Sequence, residues 1–175
     1  MHSNLPKQYY FIEKFDKKIL ENQSIETAII YRNYSKKINK IEILKLKYFC
    51  NKKKLKLFLS NDFKLALKLN LNGAYIPSFN KSFYHLNFHL KKNFIVLGSA
   101  HNLAEIRIKE KQKVDAIFLS SIFKKNNNYL GLYNFLNLIY LSKKKFIALG
   151  GVSKKNKKIL KMIKIFGFAG ISYFK

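Results

Sequence analysis

The chain has 175 residues, 48% of them hydrophobic and 15% aromatic, and carries 35 basic against 9 acidic side chains, a formal charge of +26. That size and apolar content suit one globular domain over 1–175; the single cysteine, Cys50, excludes a disulfide framework, and no signal pattern or membrane-length apolar run is present, so a cytoplasmic protein without membrane contact is expected. The charge suggests a polyanion binder, but nearly all of it is lysine, with only Arg32 and Arg107 offering the planar guanidinium that base and phosphate recognition favours; together with abundant Asn, Ile, Phe and Tyr this reads as a genome-wide codon bias and speaks against nucleic acid as a partner.

Taken in order, apolar runs of strand length recur: YYFIE (9–13), TAIIYR (27–32), LKLFLS (55–60), GAYIPS (73–78), NFIVLGS (93–99), DAIFLSS (115–121), KFIALGG (145–151) and GFAGISYF (167–174). Between them stand segments of helical spacing with lysine-rich outer faces. The first, 14–26, is short; 36–53 repeats Ile38, Ile41, Leu44 and Tyr48 as its apolar stripe; 62–70, 80–92, 102–113, 132–144 and 154–165 follow. Continuous apolar strands alternating with helices predict an α/β protein with a parallel sheet. Eight strands and seven helices fit a compact (β/α)8 TIM barrel, with an open doubly wound sheet as the alternative. The sequence stops at Lys175, just past the eighth strand, so the final helix is expected to be missing, leaving a groove between the first and seventh helices, either exposed or covered by a second copy in a homo-oligomer.

Ligands of such barrels sit at the carboxyl ends of the strands, and the polar residues of this sequence gather there: Arg32 after the second strand, Ser60, Asn61 and Asp62 after the third, Ser99 and His101 at the fifth, Gly150, Gly151 and Ser153 after the seventh, Ser172 after the eighth. The glycine pair reads either as an anion site before a helix or as a tight turn with Ser153 as the helix cap. Asn61 and Asp62 offer oxygens to Mg²⁺, or Asp62 caps the helix that follows. Asn102 and Glu105 have the spacing of a capping box. His85 and His89 stand four apart on a predicted helix but lack a carboxylate motif, and Ser99 and His101 lack an oriented acid, which excludes a hydrolase triad.

The order of these features resembles the thiamine phosphate synthase and thiazole tautomerase family over nearly the whole chain. Arg32 matches the family's arginine after strand two; SNDFKLALKLNLNGAYI matches its Asn-Asp pair, helix and glycine-led strand; SAHNLAE matches its Ser-x-His motif; ALGGVSKKN matches its Gly-Gly turn; and Gly170, Ile171 and Ser172 match its closing strand. The resemblance implies a transferase of thiamine biosynthesis that joins hydroxymethylpyrimidine diphosphate to thiazole phosphate, releases pyrophosphate and uses Mg²⁺. It also implies roles: Arg32 and Ser99 on the diphosphate, Asn61 on the pyrimidine, Asp62 on the metal, and Gly150, Gly151, Ile171 and Ser172 on the thiazole phosphate.

The sequence departs from the family at several positions. Tyr34 stands where a lysine follows the arginine, Asn80 near a second metal-binding aspartate, and Tyr75 at a histidine. The loop after strand six reads KKNNN, so Lys125, Asn127 and Asn128 stand where threonines and a lysine are expected and are candidates for replacement phosphate contacts. Ser121 stands where the tautomerase branch keeps a histidine. A non-catalytic barrel that binds a phosphorylated ligand is the alternative reading.

Overall fold

Both faces of every strand are apolar, and the fold uses both. The computed structural model describes residues 5–34 and 39–174; Ile38 of the expected helical stripe and the terminal Lys175 lie outside them. Eight parallel strands, β1 (Gln8–Ile12), β2 (Thr27–Tyr31), β3 (Leu57–Ser60), β4 (Gly73–Ile76), β5 (Ile95–Ala100), β6 (Ala116–Ser120), β7 (Lys145–Leu149) and β8 (Gly167–Gly170), close into a barrel in sequence order. The register of β1 on β8, Gln8 opposite Phe168 and Tyr10 opposite Gly170, shuts the ring. The expected TIM barrel is therefore present, and the open sheet is not.

Successive strand residues point to opposite sides. Tyr9, Phe11, Ala28, Ile30, Phe58, Tyr75, Leu97, Phe118, Ile147 and Ala169 fill the barrel interior. Their neighbours Tyr10, Ile29, Tyr31, Leu57 and Leu59 face the first helices, while Val96, Ile117, Leu119, Phe146 and Phe168 face the later ones. Phe11, Tyr75 and Phe118 meet edge to face, with centroids 5.3 to 5.8 Å apart, and make an aromatic layer across the barrel.

Six α-helices lie outside the strands among the described residues: α1 (Lys17–Glu21), α2 (Lys40–Lys52), α3 (Phe63–Lys68), α4 (Leu103–Lys111), α5 (Gly131–Tyr140) and α6 (Lys157–Met162). Asp16, Asn39, Asp62 and Asn102 cap the first four through side-chain oxygens. None of the described helices is long and apolar enough to cross a membrane.

Two sequence expectations about helices are corrected. On α2 the buried stripe is Ile43, Leu46 and Cys50, and the expected stripe faces outward, with Ile41 67% and Tyr48 75% exposed. Glu42 sets this rotation, because its carboxylate accepts from Tyr31 Oη at 2.8 Å and from Phe15 N at 2.8 Å, turning the next residue, Ile43, inward. The segment 80–92 forms only a single 3₁₀ turn, Tyr84–Asn87. Side chains there bind local backbone instead: Asn80 Oδ1 accepts from Ser82 N and Ser82 Oγ from Tyr84 N, at 2.9 and 3.2 Å. His85 and His89 thus share no helix face. His85 is buried against Phe63 and His89 is exposed.

Past β8 the chain turns back on itself. Phe174 meets Tyr10 at 5.3 Å between centroids and Tyr173 meets Phe168 at 4.8 Å, while Gln23 Nε2 donates to the Phe174 carbonyl at 3.1 Å. Two aromatic side chains thereby cover part of the outer face where β8 joins β1.

Candidate active site

The carboxyl ends of the strands carry the polar residues. Arg32 follows β2; its N–H donates to the Ile12 carbonyl at 2.8 Å, and its guanidinium carbon sits 4.7 Å from the Phe11 ring centroid, on the aromatic layer. The stacked, half-buried guanidinium is thereby held at the opening. Tyr34, two residues on, brings its hydroxyl to 2.7 Å from Ser60 Oγ and sets its ring edge-on to Phe79. Burial pushes its phenol above the usual value, with Ser60 and Arg32 pulling the other way. Ser99 is buried, and burial pushes the Tyr75 phenol up while the Ser99 hydroxyl pulls it down.

After β3 the backbone takes a left-handed turn at Asn61, φ 60°, a conformation that Asn tolerates better than most residues. Asn61 N donates to the Tyr75 carbonyl at 2.9 Å, and Asn61 Oδ1 accepts from Asn80 Nδ2 at 2.8 Å. Asp62 Oδ1 accepts from Leu65 N at 2.8 Å, so the capping role is realised, with the second carboxylate oxygen left over. Asn61, Asp62, Lys64, Tyr75, Asn80 and Tyr84 line a cavity of about 250 Å³. Among the described residues no group of three or more His, Cys, Asp or Glu side chains could hold a metal.

Gly150 and Gly151 have φ of +98° and +77°. A Cβ on Gly150 would stand 2.8 Å from Ser121 Cα, and one on Gly151 would stand 2.6 Å from Lys124 N. Positive φ and close approach both demand glycine here. The Gly150 carbonyl accepts from Phe123 N and Lys124 N at 2.9 and 3.2 Å, so the β7 turn and the loop after β6 form one body. Within that loop Asn126 Oδ1 accepts from Asn128 N, the Asn128 carbonyl accepts from Ser121 N, and the side chains of Lys125 and Asn127 are exposed. The expected helix cap is corrected: α6 starts at Lys157, six residues past Gly151, and Asn156 precedes it. Asn156 Oδ1 accepts from Ser153 N and its Nδ2 donates to the Gly151 carbonyl, both at 2.8 Å, so Asn156 rather than Ser153 fastens the turn. The glycine pair therefore does not sit directly on a helix end.

Ile171 lines a separate cavity of about 480 Å³ beside the end of β1, with Tyr10, Asp16 and Glu42, and Ser172 is exposed. The described geometry thus brings Asn61, Asp62 and Asn80 together at one cavity and Gly150, Gly151 and the 124–128 loop together at another place, while Ile171 belongs to a third.

Sequence reasoning missed three features. Glu105 Oε2 accepts from His101 N at 2.7 Å and lies 2.9 Å from His101 Nδ1, so the imidazole is oriented by an acid, but among the described residues no hydrogen bond joins Ser99 to His101 and no serine triad results. Lys109, wholly buried on α4, donates from Nζ to the carbonyls of Pro77 and Asn80 and to Gln112 Oε1. Burial pulls its ammonium down to about 8, with Glu105 opposing. Gln112, also buried, donates from Nε2 to the carbonyls of Asn80 and Ser82. The spacing of Lys109 from Ile106, three residues on the buried face of a helix, was the available signal.

The family model described as Thiamine monophosphate synthase matches residues 14–174. A protein of Aquifex aeolicus (strain VF5) named "Putative thiamine-phosphate synthase 2" is 32% identical over 129 residues, 70% of this chain and 68% of that protein. Thiamine phosphate pyrophosphorylase from Pyrococcus furiosus superposes with a TM-score of 0.72 at 20% identity, covering 95% of this chain and 86% of that one. The Bacteroides thetaiotaomicron thiamine phosphate pyrophosphorylase gives 0.59 at 13% identity, over 95% and 83%. At those identities the two structures speak for the fold alone, whereas the match over 14–174 and the Aquifex relative carry the lineage: this chain belongs to the thiamine monophosphate synthase family.

Proposed function

We propose that the chain is a transferase that joins hydroxymethylpyrimidine diphosphate to thiazole phosphate and releases pyrophosphate. The observation that carries this reading is the family match over residues 14–174, combined with Arg32, Asn61, Asp62 and the glycine turn at the carboxyl ends of one barrel. In the reaction the bond from the pyrimidine methylene carbon to the diphosphate oxygen breaks, its electron pair leaves with pyrophosphate, and the thiazole nitrogen lone pair forms the new C–N bond. Arg32, held over Phe11, pairs with diphosphate oxygens, with Ser99 as a second donor. Asn61 orients the pyrimidine. The backbone of Gly150 and Gly151 receives the thiazole phosphate, and Lys125, Asn127 and Asn128 lie on the loop joined to that turn; Ile171, at the separate cavity beside β1, and the exposed Ser172 are left out of that phosphate's contacts.

Asp62 keeps one carboxylate oxygen beyond the one that caps α3. One such oxygen, with substrate phosphates and water, fits a Mg²⁺ ion carried in on the diphosphate rather than one caged by protein. Bound there, Mg²⁺ would offset the charge that gathers on the departing pyrophosphate.

The test is a coupling assay with purified protein, both substrates and Mg²⁺, following pyrophosphate and thiamine phosphate together. Metal-dependent formation of both in equal amounts supports the transferase. A second reading, a binding barrel without chemistry, is favoured by the contact of Tyr34 with Ser60, which already engages a hydroxyl of the opening. No product at high protein concentration, with thiazole phosphate still bound in calorimetry, would establish that reading instead.

A further inference from the structure

We propose that Lys109 is a positioning residue for the cavity at Asn61 and Asp62, acting through the β4–β5 connection; the proposal rests on the transferase reading for its kinetic part alone. The connection between β4 and β5 has a single 3₁₀ turn where the other long connections carry α-helices, so its backbone carbonyls are not taken up by helical N–H groups. Two buried side chains of the α4 end take the place of those donors, and a carbonyl there accepts from a loop side chain. Lys109 Nζ reaches the Pro77 and Asn80 carbonyls at 2.9 Å each, Gln112 Nε2 reaches the Asn80 and Ser82 carbonyls at 3.0 and 2.8 Å, and His85 Nε2 lies 2.8 Å from the Gln112 carbonyl. Lys109 Nζ also donates to Gln112 Oε1 at 2.8 Å, which fixes which end of the Gln112 amide faces the loop.

The Asn80 carbonyl is the shared acceptor, and its side chain is the link onward: Asn80 Nδ2 donates to Asn61 Oδ1 at 2.8 Å, and both residues line the cavity. A wholly buried ammonium whose described hydrogen bonds all go to neutral acceptors is costly to keep, so the loop it orders must return something beyond local packing. The strand beneath makes room for it. A Cβ on Gly98 would stand 2.9 Å from Lys109 Cδ, so β5 is bare where the lysine stem crosses it. Lys109 itself does not line the cavity, which makes its influence indirect.

The test compares wild type, Lys109→Met and Gln112→Glu by amide hydrogen exchange of 77–90 and by steady-state kinetics with hydroxymethylpyrimidine diphosphate, thiazole phosphate and Mg²⁺. Gln112→Glu is isosteric, keeps an oxygen for Lys109 Nζ and turns an oxygen toward the Asn80 and Ser82 carbonyls, so it loosens the loop even if Lys109→Met fails to fold. The expected result is faster exchange confined to 77–90, with KM for the pyrimidine diphosphate raised about tenfold and kcat changed by less than about threefold. Asn80→Ala should reproduce the KM rise with faster loop exchange confined to the Ser82 amide, whose bond to Asn80 Oδ1 is lost. Unchanged exchange in a folded Lys109→Met or Gln112→Glu protein overturns the proposal, as does faster exchange with KM unaltered, which would leave a purely structural role. A wild-type protein that forms no product overturns the transferase reading; calorimetry with the pyrimidine diphosphate then replaces kinetics, and affinity unchanged in the folded variants overturns the positioning role.

Discussion

The Tyr34 hydroxyl lies 2.7 Å from Ser60 Oγ while its ring meets Phe79 edge-on at 5.4 Å between centroids, so the segment after β2 closes on the ends of β3 and β4. Family resemblance expects a lysine at this position. Tyr34 thus exchanges a mobile cation for a ring pinned on both sides, next to Arg32.

Tyr34→Lys is therefore expected to restore a cation beside the diphosphate. KM for the pyrimidine diphosphate should fall about three- to tenfold at low ionic strength, and the gain should shrink as salt rises. The measurement is KM at two salt concentrations. A KM that stays the same at both would show that the lysine position no longer faces the diphosphate.

Gly151→Ala tests the joined loops. The new Cβ would meet the Lys124 backbone nitrogen at 2.6 Å in a residue whose φ is +77°, so either the 121–130 loop or the turn must move. Denaturant unfolding should show a loss of about 1–3 kcal/mol, and thiazole phosphate affinity should drop in calorimetry. Full stability with normal affinity would mean the turn is more plastic than its hydrogen bonds imply.

All eight strands were legible because residues on both faces of each are buried, which leaves short continuous apolar runs along the chain. The region 80–92 was not. Phe83, Leu86 and Leu90 have helical spacing, yet Phe88 and Phe94 gather on Phe63 while the backbone is claimed by Lys109 and Gln112 from a distant element, and such claims leave no local trace. On α2 periodicity pointed to Ile38, Ile41, Leu44 and Tyr48, and the stripe that is buried instead is set by Glu42 reaching Tyr31 and Phe15. Asn61 and Asp62 stood out as candidates because short polar residues directly after a strand are conspicuous. Their partner Asn80, nineteen residues on, becomes visible only when the barrel closes.

Asp62 carries two duties that substitution can separate. Asn caps a helix as well as Asp does, so Asp62→Asn should leave the unfolding free energy nearly unchanged while removing the charge, and Asp62→Ala should also cost about 1 kcal/mol of stability through the lost contact with Leu65 N. Mg²⁺-dependent product formation should fall at least about a hundredfold in both. An Asp62→Asn protein with an unchanged rate would remove Asp62 from the metal and leave it as a helix cap alone.

Cys50 offers a reading of global opening and a pH dependence whose sign is fixed. Its thiol is fully buried on the inner face of α2, and burial pushes it from an ordinary 9.0 to about 12. The native state therefore prefers the protonated thiol, and the stability this group contributes is whole below pH 9 and lost as pH rises from 9 to 12, where the unfolded chain sheds the proton and the folded one keeps it. Cys50→Ala removes that group at the cost of a small cavity, so the variant should be less stable than wild type near pH 7, with the gap narrowing above pH 9. A thiol reagent at pH 8 should label the native protein only at the rate at which the barrel opens, and at once in denaturant. Rapid stoichiometric labelling of folded protein would show that α2 lifts from β2 and β3 without global unfolding, and would predict rapid amide exchange in residues 40–52 as well.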